Sequence, residues 1–278
     1  MQTEHKPGIE SAKNLEGIKH RLVVMSGKGG VGKSTVASNL AIALSLKGYE
    51  FGLLDVDIHG PTIPKMLGLG GRKIIGGEDA LLPIFAMPNL IVMSIGFLIR
   101  EDDAPLIWRG PLKMGAIRQF VEEVKWGDLD YLIVDLPPGT GDEPLSIAQL
   151  MPESDAIIVT TPQEVALLSV RKSINFAKRL NMPVIGLIEN MSRFVCPHCG
   201  KPTDIFKTGG GEKACSDLDV PFLGCIPIDP DIAESGDRGK PFVLEHANSP
   251  SQKAFEEIVK RVEDYLNPRE KKQIQKES

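Results

Sequence analysis

Short apolar runs punctuate the chain: RLVVMS (21–26), FGLLDV (51–56), NLIVMSI (89–95), DYLIVDL (130–136), DAIIVTT (155–161), PVIGLIEN (183–190) and PFLGCIP (221–227). Each is short for a helix, and most are rich in β-branched residues, as strands buried on both faces are. Between several of them apolar positions recur at helical spacing, which predicts helices over 33–47, 111–125, 163–180 and 250–266. Strands alternating with helices imply βαβ units with right-handed crossovers. The expected class is α/β, a mostly parallel β-sheet with helices on both faces. Ligands of such sheets bind at the carboxyl ends of the strands, so the loops after the apolar runs are where chemistry is expected.

One stretch departs from this rhythm. Ala80–Ile99 (ALLPIFAMPNLIVMSIGFLI) is twenty residues without a charge, the length of a membrane span. Pro83, Pro88, Asn89 and Gly96 interrupt it, and NLIVMSI inside it has the pattern of a buried strand, so no span is expected. There is no internal repeat and no interior linker. The expected organisation is one domain over 19–267, between a flexible N-terminal segment (1–18) and a flexible charged tail (268–278).

Composition narrows the setting. With 278 residues, 42% of them hydrophobic, the chain can bury a sizeable core. A net charge of −5 and the lack of a long basic run leave no nucleic-acid partner in view. The first residues, MQTEHKPGIESAK, lack the apolar core of an export signal. The expected location is cytoplasmic, where four cysteines stay reduced and Cys-x-x-Cys indicates metal or redox chemistry.

The first apolar run leads into Gly27-Lys28-Gly29-Gly30-Val31-Gly32-Lys33-Ser34-Thr35, which fits G-x-x-x-x-G-K-[ST], and then into an apolar helix ending at Gly48. The glycines let backbone N–H groups face phosphate oxygens, Lys33 reaches the β- and γ-phosphates, and the Ser34 hydroxyl binds Mg²⁺. A plain glycine-rich turn is the alternative, and the strand–loop–helix context argues against it. Two other strands deliver carboxylates: DVDIHGP places Asp55 and Asp57 after the second run, and LIVDLPPGTGD places Asp135 and Gly139 after the fourth. Asp135 is expected to hold Mg²⁺ through water, and Gly139 to offer its N–H to the γ-phosphate. A strand-end Asp can also simply cap a turn. Asn190 closes the sixth run. Its amide matches the donor–acceptor edge of adenine, although a turn residue would look the same.

KGGVGKST resembles the deviant Walker A loop of the MinD/ParA class of ATPases. The resemblance implies that two chains sandwich two ATP molecules and that Lys28, otherwise readable as a solvated lysine, reaches the partner's nucleotide and neutralises transition-state charge there. It further implies that Asp57 orients the attacking water, that Asp55 supports the Mg²⁺ shell, that Asn190 reads adenine and that the loop at Pro227 covers the base. Within that class DVDIHGPTIPKMLG, WRGP, DYLIVDLPPGTGDEPLS, TTPQEVAL, IENMS and CPHCG together resemble the Mrp-type iron–sulfur cluster carriers, over roughly residues 21–245. This implies a cytosolic homodimeric ATPase that binds a [4Fe–4S] cluster and passes it to apo-proteins. It matches the short form, without the cysteine-rich N-terminal extension of longer members.

CPHCG supplies only two thiols, Cys196 and Cys199, where a tetrahedral zinc or a cluster wants about four ligands. If the ATP sandwich brings two chains together, each contributes this pair and the shared site is complete. Pro197 and Gly200 suit the tight turn, and His198 is expected to point away. Zinc is the alternative occupant. Cys225, in FLGCIP, reads as a small core hydrophobe, and Cys215 lies in a helical pattern; neither is expected to complete the site. The rival functions are a partitioning or positioning ATPase with a structural zinc, an electron carrier of the nitrogenase-reductase kind, and a zinc-stabilised scaffold. The tail NPREKKQIQKES has one Ile and no aromatic residue, which makes it a poor membrane anchor. No cysteine lies in the switch loops. Lys33, Asp57 and Asp135 would be superfluous in a scaffold.

Overall fold

The computed structural model describes residues 14–58, 60–76, 80–98, 110–196 and 199–277. In chain order the first half comprises β1 (Ile18–Met25), α1 (Lys33–Leu46), β2 (Phe51–Asp55), α2 (Ile63–Met66), β3 (Ile75–Gly76), β4 (Leu81–Leu82), β5 (Ile84–Met87), β6 (Leu90–Ser94), α3 (Gly110–Glu122) and β7 (Leu129–Asp135). The second half comprises α4 (Asp142–Leu150), β8 (Asp155–Thr160), α5 (Glu164–Arg179), β9 (Val184–Glu189), β10 (Phe194–Val195), β11 (Pro202–Thr203) and α6 (Gly210–Leu218). It closes with β12 (Phe222–Cys225), α7 (Pro230–Arg238), α8 (Phe242–Glu245) and α9 (Pro250–Glu277).

Eight strands form one sheet in the order β12-β9-β8-β1-β7-β2-β6-β5, parallel except for β5, which runs antiparallel to β6 at one edge. The central strands β2, β6 and β8 are buried at every position, as their unbroken apolar runs require. Helix α1 is apolar on nearly all sides and buried from Val36 to Ser45, so it sits inside the molecule, between the sheet and α9. This makes the helix that opens at Lys33 a rigid mount for the loop before it.

The apolar stretch from Ala80 folds into β4, β5, β6 and a 3-10 turn over Ile95–Leu98, with Ile99 outside the described residues. No described helix is long and apolar enough to cross a membrane. The N-terminal boundary differs from expectation. Leu15 is 1% exposed, and the Asn14 side-chain amide donates to the carbonyls of Val121 (2.9 Å) and Val124 (2.6 Å). A polar segment carrying one buried leucine is thus held to α3 and the turn after it, and β1 already begins at Ile18. At the other end α9 continues to Glu277, through the segment whose charges read as a tail. Helices α4 and α7 were not expected either. Each is nine residues long, too short for a helical period to stand out.

Candidate functional site

The loop from Ser26 to Gly32 leaves β1 and turns into α1 at Lys33, so Gly27 through Thr35 form the expected phosphate loop and first helical turn. Two glycines are there for closeness of approach. A Cβ on Gly27 would lie 2.4 Å from the Ser169 carbonyl of α5, and one on Gly32, which has φ of 78°, would lie 2.2 Å from Asn190 Nδ2. The Asn190 amide donates to the Val31 carbonyl at 2.9 Å. The adenine-reading candidate therefore lies against the phosphate loop, with one of its donors engaged. Pro227 is half-buried in the turn after β12, at the same edge of the sheet. That turn is tied to the segment after β9 by the Ile228 N–H, which donates to the Arg193 carbonyl at 2.7 Å.

Lys33 is 6% exposed, and its ammonium lies 2.7 Å from Asp135 Oδ1, 3.2 Å from Ser34 Oγ and 3.8 Å from Asp57 Oδ2. The Ser34 hydroxyl donates to Asp135 Oδ2 at 2.6 Å. The structure thus brings together Lys33, Ser34, Asp57 and Asp135, which the sequence drew from three separate loops. Lys28 lies nearby but is held within its own chain, donating to Gln163 Oε1 at 3.2 Å. Gln163 precedes α5 within the TTPQEVAL segment, where its residue type alone assigns it no role.

Strand register explains the carboxylates. Val24, Asp135, Asp55 and Ser94 are successive partners across β1, β7, β2 and β6, one row at the carboxyl end of the sheet. Asp55 and Asp135 are both fully buried. Burial and the neighbouring Asp135 carboxylate push Asp55 up to about 8, against the opposing pull of the Ser94 hydroxyl, the Asp57 peptide and Lys33. Burial likewise raises Asp135, with the Lys33 ammonium acting against it. The site is an oxygen-rich, cation-poor pocket beside one lysine, and hard oxygen donors of this kind suit Mg²⁺.

Two expectations are adjusted here. Asp55 has both oxygens engaged, by the Ser94 hydroxyl at 2.8 Å and the Asp57 N–H at 3.1 Å, which makes it a brace for the loop. The Gly139 N–H donates to the Ser26 carbonyl at 2.8 Å, so it must leave that bond to meet a phosphate.

Cys196 and Cys199 sit on a hairpin beyond β9, formed by the antiparallel pair β10–β11. Gly200, with φ of 67°, donates its N–H to the Cys196 carbonyl at 2.9 Å, and Cys196 donates to the Lys201 carbonyl at 3.1 Å. Cys196 is half-buried and Cys199 exposed; Pro197 and His198 lie outside the described residues. The root of the hairpin rests on Glu189, which the sequence did not single out. This buried carboxylate accepts from the Ser192 hydroxyl and, at 2.6 Å, from the Gly211 N–H in α6. Cys215 is buried, its thiol pushed up to about 12 by desolvation, and donates to the Pro221 carbonyl at 3.4 Å. Cys225 is not a core residue: β12 is the edge strand and leaves it exposed, with Glu189 Oε1 at 3.8 Å. Among the described residues no three His, Cys, Asp or Glu side chains gather around a metal position. Within one chain the hairpin offers two thiols, fewer than the about four ligands of a tetrahedral zinc or a cluster.

A phosphate loop on a parallel sheet, with carboxylates at the ends of the two strands flanking it on one side, defines a P-loop NTPase. The solved structures agree. An Archaeoglobus fulgidus nucleotide-binding protein in complex with ADP superposes with a TM-score of 0.75 at 39% identity, covering 87% of this chain and 93% of that one. The Pyrococcus furiosus cell division ATPase MinD shares the fold, with a TM-score of 0.66 at 22% identity over 88% of this chain and 99% of its own. A family model for NUBPL iron-transfer P-loop NTPases matches residues 17–263, and the chain belongs to that family. It is 55% identical over 250 residues to the iron–sulfur cluster carrier protein of Methanocaldococcus jannaschii, covering 90% of this chain and 86% of that protein. It is 50% identical over 249 residues to the protein of the same name from Saccharolobus solfataricus, covering 89% and 84%.

Proposed function

We propose that this protein is a cytoplasmic, ATP-hydrolysing iron–sulfur cluster carrier. Two copies hold one [4Fe–4S] cluster between them as cargo and pass it to apo-proteins. The observation that carries this reading is the surface hairpin with two thiols, Cys196 and Cys199, at the same sheet edge as the phosphate loop. A two-fold pair of chains doubles the ligands to four without any further residue. The membership in an iron-transfer family supports the same reading.

Each chain's Gly27–Thr35 loop cradles the phosphates of ATP, Lys33 turns from Asp135 toward the β- and γ-oxygens, and Asn190 and the Pro227 loop face the adenine. Ser34 would hold Mg²⁺ directly and Asp135 through water. When bound, the ion neutralises charge on the phosphate oxygens. Asp57 orients the attacking water. Lys28 exchanges Gln163 for the partner's nucleotide, which ties turnover to pairing.

Anaerobic reconstitution with iron and sulfide, followed by absorption spectroscopy, metal and sulfide counting and gel filtration, tests the proposal. Four irons and four sulfides per two chains, eluting as a dimer, are expected, and Cys196→Ala or Cys199→Ala removes them while ADP still binds. A full cluster on every monomer, or zinc alone with no cluster formed anaerobically, would overturn it.

A further inference from the structure

Ser94 ends β6 in the run LIVMSIG, where it reads as nothing more than the last residue of a buried strand. The fold gives it a different standing. It is the register partner of Asp55, which is in turn the partner of Asp135, so it extends the carboxylate row by one strand. Ser94 and Asp55 are both completely buried. The Gly96 N–H donates to Ser94 Oγ at 3.0 Å, the Ser94 hydroxyl donates to Asp55 Oδ2 at 2.8 Å, and the Asp57 N–H donates to Asp55 Oδ1 at 3.1 Å. Four groups form one chain with its donors in order: the Gly96 amide orients the hydroxyl, the hydroxyl points at the carboxylate, and the carboxylate holds the Asp57 peptide. Asp57 is the residue of this loop whose carboxylate reaches Lys33.

We propose that Ser94 is a positioning residue of the ATP-hydrolysing site, which through Asp55 fixes the peptide that presents Asp57. This rests on the hydrolysis reading above. The physical reason is directional. Once ionised, Asp55 carries two acceptor oxygens in a site closed to water, and one hydroxyl and one peptide N–H divide them. Without the hydroxyl, one buried oxygen has lost its donor, and the carboxylate turns to recover one. The Asp57 peptide then loses a fixed acceptor, whereas Lys33 and Ser34 keep their bonds to Asp135.

Residue-resolved amide hydrogen exchange and steady-state kinetics on the full chain test this. In Ser94→Ala the Asp57 amide should exchange about tenfold faster or more, as expected for a locally opened hydrogen bond. The Val56 amide, which donates to the Asp135 carbonyl at 3.1 Å, should stay at its wild-type rate. The value of kcat should fall about tenfold while KM and ADP affinity stay within about threefold, because the lost interaction acts on turnover and not on binding. In an Asp55→Asn background the same change should cost less than about twofold, since a residue acting through another is non-additive with it. Equal acceleration of the Val56 and Asp57 amides would assign Ser94 a merely structural role, and so would an undiminished kcat loss on top of Asp55→Asn. Unchanged exchange at Asp57 would overturn the proposal outright. If the unaltered protein hydrolyses no ATP, the hydrolysis reading fails, while the exchange comparison still decides whether Ser94 holds the Asp57 peptide.

Discussion

Lys33 is the residue whose environment is most demanding. Its ammonium is nearly closed off from water and held by Asp135, so incoming phosphate oxygens compete with a carboxylate already in place. Lys33→Ala should weaken ATP binding by roughly ten- to a hundredfold, the loss of a charge-assisted hydrogen bond of about 1.5–3 kcal/mol. Calorimetry with ATP and Mg²⁺ measures it. Asp55 offers a test through pH. Its folded-state pKa, near 8, lies above the usual carboxylate value of about 3.9, so between those values the folded protein binds a proton that the unfolded chain has released. Asp55 therefore contributes most to stability below pH about 4, and that contribution is lost as pH rises toward 8. Asp55→Asn carries no ionisable group there. The difference between its thermal midpoint and that of the unaltered protein (variant minus unaltered) should rise as pH is raised from about 5 to about 9, and a difference that stays constant or falls would contradict this ordering. None of this was legible from the residue types. DVD announces carboxylates near a phosphate, but only strand register shows that one of them is enclosed between Asp135 and Ser94.

Elements were legible to different degrees, for physical reasons. Central strands announce themselves because burial on both faces forces continuous apolar runs, and the phosphate loop because its glycines are required by geometry at fixed spacing. The edge of the sheet is less constrained. Strand β5 exposes Phe85 at 63%, and Cys225 on β12 faces outward although its neighbours in sequence read as core. Short helices such as α4 and α7 lack the length for a period to emerge. Contacts between elements are the least legible. Gln163 and Glu189 lie inside the TTPQEVAL and IENMS segments but their residue types suggest no role there, yet the first holds Lys28 and the second ties the cysteine hairpin to α6. The approach of α5 to the phosphate loop is one such contact with a measurable consequence. Gly27→Ala places a methyl 2.4 Å from the Ser169 backbone oxygen, which no side-chain rotation relieves. Overpacking of this kind costs about 1–3 kcal/mol, and here it displaces the loop that binds phosphate. ADP affinity should drop at least about tenfold, equivalent to 1.4 kcal/mol, with the melting temperature lowered as well. ADP binding at wild-type strength would mean that α5 yields freely.

At the scale of the whole molecule the proposed function turns on how two chains would meet. The carboxyl edge of the sheet collects the candidate site residues: the phosphate loop, the Asp57 and Asp135 loops, Asn190 and the root of the cysteine hairpin. Beside it stands an apolar residue that the fold leaves uncovered. Leu168 of α5 is 67% exposed, and its neighbour Ser169 is the residue packed against Gly27, so Leu168 flanks the loop that carries Lys28. A single exposed leucine is ordinary on a protein surface; its position beside the lysine that the proposed function sends across to a second chain is what gives it meaning here. Pairing should bury it, and a carboxylate in its place would be desolvated without a partner. Leu168→Glu should therefore leave the monomer folded and able to bind ADP, because the side chain is largely exposed and is not part of the buried core. The same variant should stay monomeric with ATP and Mg²⁺ in sedimentation, where the proposed function expects the unaltered protein to form a dimer. Its ATPase rate should fall to that of Lys28→Ala, since both lose the same crossing. A Leu168→Glu protein that dimerises normally with ATP would place the contact between chains on another face, and would leave the proposed sharing of Cys196 and Cys199 across a two-fold axis without this route.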